Sequence, residues 1–187
     1  PGEGRVFKNP NEALMAYERR EITQHTRIAI PVSGFKYKLF TEEQSDKYLV
    51  TTVGKLKFNE IFPDTFQYIN EGTKENIEGI TPNKYFLAKG TNIKEAIKEL
   101  ELVKPFGKKV LTQLIAQIYK RYHTTETSIM LDKMKDLGFK ESTLSGISIG
   151  IGDIIASKNK EKILADATEK VAQVNKQFKR GLITDRE

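Results

Sequence analysis

The chain has 187 residues, enough for one large domain or a domain with an appendage, and enough to bury a core without disulfides. It holds no cysteine, only two histidines and no apolar run near the ~18 residues that span a bilayer, so a disulfide scaffold, a Cys-based metal site and a membrane span are excluded. With 38% hydrophobic and 30% charged residues it reads as a soluble protein with a large polar surface, and cysteine-free composition fits a cytoplasmic location. The net charge is +6, from 31 basic and 25 acidic residues. That balance permits nucleic-acid contact through phosphates, yet the two signs are interspersed and a solvated surface fits as well.

Pro1-Gly2-Glu3-Gly4 lacks the apolar stretch of a signal peptide and has no Met, so Pro1 reads as a boundary inside a Gly-rich loop. Asn9-Pro10-Asn11-Glu12 is a helix start: Asn9 caps, Pro10 suits the first helical position, and Glu12 has capping-box spacing. Ala13, Leu14 and Tyr17 form its apolar face. Strands follow. Ile28, Ile30 and Val32 alternate, as do Phe35, Tyr37 and Leu39, with Ser33-Gly34 as a two-residue turn between them and Lys36 and Lys38 on the opposite face. A third strand covers Lys47 to Val53, after an acidic loop from Thr41 to Asp46. Lys55 to Phe62 fits either a strand or a helix, and Pro63 ends it. Asp64 to Gly90 is irregular, but its aromatics point to a packed excursion rather than a linker.

The helical section opens with Ile93, Ala96, Ile97 and Leu100, capped by Thr91 and broken at Pro105. Val110, Leu111, Leu114, Ile115, Ile118, Tyr119 and Tyr122 predict a strong amphipathic helix. Met130, Leu131, Met134 and Leu137 predict another, with Gly138 as its left-handed C-terminal cap and Phe139 folded back over the last turn. The final helix differs in kind. Leu164, Ala167, Val171, Val174 and Phe178 step by 3, 4, 3, 4, the narrow seam of a coiled coil, and Gly181 stops it. The expected class is α+β: a small antiparallel β-sheet packed with several helices, plus a protruding C-terminal coiled-coil-type helix.

Catalytic and metal-binding motifs are absent. Gly146-Ile-Ser-Ile-Gly150-Ile-Gly152 has neither P-loop nor dinucleotide-loop spacing and suits a buried extended segment. His25 and His123 have no ligand-spaced partner and read as surface or capping residues. The carboxylates of Glu42-Glu43 and Glu99-Glu101 lie on polar surfaces. Gly107-Lys108-Lys109 opens a helix where free amides already favour anions; the two lysines either hold phosphate or extend into water.

Four segments carry a resemblance: Gly2-Glu3-Gly4 with its helix; Thr51-Thr52-Val53-Gly54-Lys55 through Ile61; Gly107-Lys108-Lys109; and Gly138 through Asp153, GFKESTLSGISIGIGD, the most specific. Together they resemble the largest subunit, β′, of bacterial RNA polymerase over essentially the whole chain, with Asp64 to Tyr85 matching poorly. The resemblance implies a non-catalytic piece of a nucleotidyltransferase active in transcription. The aspartate loop holding the catalytic Mg2+ lies before Pro1 in this family, so no cofactor, catalytic residue or metal site is expected here. Residues 1–140 correspond to a pore-like α+β domain and 141–187 to the start of the funnel, with the first rim helix and its tip at Gly181-Leu182-Ile183-Thr184. In such enzymes these parts wall the secondary channel, where nucleoside triphosphates enter and a backtracked RNA 3′ end leaves. The implied partners are the β, α and ω subunits and Gre-type cleavage factors at the rim; no membrane is involved. Lys108 and Lys109 are then channel-facing, and Leu164, Ala167, Val171, Val174 and Phe178 form the rim seam. Some relatives bind a guanosine tetraphosphate alarmone through a lysine and an aromatic; the stretch His123–Glu126 offers no lysine and Asp136 is not aromatic, so that site is not carried over. The other reading is a freestanding basic adaptor that binds partners through its terminal coiled coil.

Overall fold

The computed structural model describes residues 2–36, 39–101 and 104–184. Two compact units are present, 1–144 and 145–187. In the first unit, helix α1 (Pro10–Glu18) starts as expected: Asn9 Oδ1 accepts from the Glu12 amide at 2.9 Å. The Glu12 carboxylate reaches back one residue further than a capping box requires, to the Lys8 amide at 2.5 Å.

The sheet has three antiparallel strands in the order β1 (Arg27–Pro31), β2 (Tyr48–Thr52), β3 (Phe86–Leu87). The class matches the expectation, but the strand membership does not. Ile28, Ala29 and Ile30 are all buried, so β1 is covered on both faces and does not alternate in environment. One face meets the core of the sheet body. Along the other edge, the Phe7 amide donates to the Ala29 carbonyl and the Ala29 amide to the Arg5 carbonyl, both at 3.0 Å. Val32–Gly34 is a 3-10 turn, so no hairpin forms at Ser33-Gly34. Tyr37 and Lys38 of the expected second strand lie outside the described residues, and Leu39 makes only an isolated bridge to Gln67. Thr41 to Asp46 is not all loop: α2 (Glu42–Ser45) forms one helical turn. β1 pairs instead with the expected third strand, Ile30 opposite Leu49.

Thr52 ends β2 and caps α3 (Val53–Asn59), which settles the ambiguity of this stretch as helix. The irregular segment is indeed packed. It supplies α4 (Lys74–Glu78), β3 and the buried Phe66, Tyr68, Ile69, Ile77, Tyr85 and Phe86. Its backbone turns around Asn76, which is fully buried. Asn76 Oδ1 accepts from the amides of Asn70 (2.9 Å) and Glu71 (3.1 Å), and its Nδ2 donates to the Tyr68 carbonyl at 2.9 Å.

α5 (Ile93–Glu99) starts from Asn92 rather than Thr91. α6 (Lys108–Ser145) packs Leu114, Ile118 and Met130 with Phe62, Phe66 and Ile69 into a second core. The expected cap at Gly138 is not used. The helix runs through Gly138, Phe139 is exposed, and the left-handed residue is Gly146 at φ 63°. Gly138 costs about 1 kcal/mol against alanine in a helix interior, but nothing forces the helix to stop there.

In the second unit, Ile147, Ile149 and Ile151 are 80–91% exposed, so the expected buried segment is instead an uncovered one. α7 (Lys160–Lys179) has no buried residue. It ends as expected at Gly181, φ 70°, with the Leu182 amide donating to the Gln177 carbonyl at 3.1 Å.

Candidate functional site

α6 is two helices joined at His123, whose φ 60° and ψ −159° lie in a region that costs a non-glycine residue on the order of 1–3 kcal/mol. The His123 ring is exposed, and Thr127 Oγ1 donates to the His123 carbonyl at 2.6 Å, one turn beyond the break. The arm beyond the break is tied back to the sheet body. Glu141 accepts from Lys57 Nζ at 2.9 Å and from the Gln24 amide group, while Lys57 also lies 4.1 Å over the Tyr17 ring. Partial burial alone would raise the Glu141 carboxyl, but hydrogen bonds from Lys57 and Gln24 and the charges of Lys57 and Lys140 outweigh it and hold it below its ordinary value. A depressed carboxyl stabilises the fold above its unfolded pKa and loses that contribution as pH falls through the folded one. Glu141→Gln is therefore expected to lower stability near pH 7, by up to ~1 kcal/mol for such a pair, and to match the unsubstituted chain below about pH 3. Urea midpoints of both proteins between pH 7 and 3 check this; parallel curves would refute it.

At the other end of α6, Lys108 and Lys109 are both exposed. Val110 turns inward onto the second core, which leaves the two lysine stems outside. In the second unit Leu164, Val171, Val174 and Phe178 are 47–59% exposed, and Ala167 is exposed too, so the seam is formed and uncovered. The lysines belong to the first compact unit and the seam to the second. Among the described residues no group of three or more His, Cys, Asp or Glu side chains could hold a metal ion, and no helix is long and apolar enough to cross a membrane.

Sequence reasoning missed one concavity of the first unit. A cleft of about 430 Å³ opens between the N-terminus of α3 and the segment that leads into α6. Lys55 stands in it. Its ammonium lies 4.3 Å from the Phe106 ring centroid and donates to the Asn70 carbonyl. Burial lowers the Lys55 pKa to about 8, a shift only partly opposed by the charge of Glu71. Glu71 is committed elsewhere, accepting from Tyr85 Oη at 2.6 Å, Lys84 Nζ at 3.0 Å and Thr73 Oγ1 at 3.1 Å. The only signal in the sequence was a lysine one residue after Gly54 at a helix start, with its aromatic partner 51 positions away.

Residues 3–154 match the family described as RNA polymerase Rpb1, domain 3. Among curated proteins the chain is 59% identical over 186 residues to the DNA-directed RNA polymerase subunit beta' of Geobacillus kaustophilus, 57% identical over 187 to that of Bacillus cytotoxicus, and 53% identical over 186 to that of Bacillus subtilis. In each case the match covers all of this chain and 16% of the relative's length. The chain belongs to the RNA polymerase Rpb1, domain 3 family, as a segment of the β′ type.

Proposed function

We propose that this chain is a non-catalytic wall of the secondary channel of a DNA-directed RNA polymerase, a nucleotidyltransferase whose Mg2+ is held outside this segment. The observation that carries the reading is the uncovered α7 seam within a chain of β′ type. In the parent enzyme residues 1–140 act as the pore-like domain and 141–187 as the start of the funnel, a division supported by the two compact units. Lys108 and Lys109 face the channel and add positive potential along the path of nucleoside triphosphates and the RNA 3′ end. α7 forms half of a rim coiled coil that Gre-type factors grip. The β, α and ω subunits surround the rest, in the cytoplasm.

The lysines supply the test. A charged cleft raises the local concentration of anionic substrate, and salt removes the effect. In the whole polymerase, Lys108→Glu with Lys109→Glu is expected to slow nucleotide entry about three- to tenfold at low salt, with the deficit shrinking at high salt. Elongation kinetics unchanged at low salt would overturn the assignment. The purified chain alone is expected to incorporate no labelled nucleotide, because nucleotidyl transfer needs carboxylates converging on metal ions.

A further inference from the structure

We propose that the cleft beside Lys55 binds a small, flat aromatic carboxylate, with the ring body against the wall formed by Phe58, Phe106 and Leu111 and the carboxylate on the Lys55 ammonium. The volume, about 430 Å³, lies within the range of small-molecule sites. Its lining is mostly apolar, with Val50, Phe58, Phe106 and Leu111 contributed by separate parts of the chain. Aromatic walls favour a planar body over a branched one.

The charges in and around the cleft select the sign of the ligand. Arg27 is already paired with Glu3 and donates to the Ile97 carbonyl at 2.7 Å, so it is not a free anchor. Glu101 also lines the cleft and disfavours a second negative charge, which points to a monoanion. Glu71 is saturated by Tyr85, Lys84 and Thr73. Lys55 is left, among the described residues, with a ring face and one backbone carbonyl but no carboxylate within ion-pair distance. A half-buried ammonium without a counter-charge is costly, and a carboxylate that displaces cleft water to meet it gains a charge-assisted hydrogen bond in a poorly solvated place. Nothing in this site depends on the role proposed above for the channel.

The test uses 2-naphthoate and its neutral analogue 2-naphthamide, each titrated into the 187-residue chain and followed by amide chemical shifts. Saturable shifts are expected at Thr52, Lys55, Phe106 and Leu111. The carboxylate is expected to bind about tenfold more tightly than the amide, the scale of one charge-assisted hydrogen bond. Lys55→Met, which keeps the length and apolar stem, is expected to bring the two affinities within about twofold. Equal affinities in the unsubstituted chain would overturn the proposal whatever the variant does. So would shifts confined to the exposed isoleucines between 147 and 155, or a preference for the carboxylate that survives Lys55→Met.

Discussion

Asn76→Ala is expected to lower the stability of the first unit by about 3–5 kcal/mol, a large part of what a domain of this size has. The substitution leaves the Asn70 and Glu71 amides without their shared acceptor in a fully buried place, and removes one donor from the Tyr68 carbonyl. Each buried amide left unpaired costs about 1–3 kcal/mol. The Tyr68 carbonyl is spared, since Thr81 Oγ1 also donates to it, at 2.6 Å. A useful contrast is Thr73→Ala, which removes the α4 cap at the Asn76 amide and one of three hydrogen bonds to Glu71, and is expected to cost about 1 kcal/mol. Urea unfolding followed by near-UV circular dichroism separates the two. A loss below ~1 kcal/mol for Asn76→Ala would show that water reaches these amides and that the turn is not held as described.

The second large effect concerns α7. In a dilute monomer, amides of residues 165–180 are expected to exchange at least about a thousandfold faster than those of the Val110–Tyr122 stretch of α6. The inner half of α6 is locked by the fully buried Leu114 and Ile118, so its amides open only with the unit itself. α7 has no buried residue to hold it, and twenty residues are only marginally helical in water from propensity alone. Covering each large seam side chain is worth roughly 1.5–3 kcal/mol, which only a partner helix supplies. Equal protection of the two helices, measured by hydrogen exchange at low concentration, would mean that the seam is covered within the monomer and would sink the rim reading.

Much of the helical part of the fold could be read from the residues, because its signals are local. Asn9 and Pro10 fix the start of α1, Gly181 ends α7, and the spacing from Val110 to Tyr122 predicts the inward stripe of α6. The sheet was harder. Ile28 and Ile30 alternate with Ala29, but Ala29 is as buried as they are, and the segment from Gly4 to Phe7 pairs along the strand's other edge. That partner comes from more than 20 residues upstream, and no periodicity within β1 reports it. β3 is two residues long, too short to carry a pattern. Gly138 and Gly146 are equivalent as letters; the Gln24 and Lys57 contacts to Glu141, from distant segments, hold the helix in place beyond the first. Lys55 was unreadable as a site because its surroundings are assembled from distant segments.

The pairing of residues 4–7 with β1 has a consequence for self-association. An open strand edge is a template for a second chain. Here one edge is occupied by the N-terminal segment, and the other ends in a strand of two residues. The sheet therefore offers little to a neighbouring molecule. The vulnerable stretch is Ile147-Ser148-Ile149-Gly150-Ile151, uncharged, β-branched and exposed. Such windows stack readily into intermolecular β-structure. Fibrils or precipitates of this chain would grow from that window, leaving the three-stranded sheet intact.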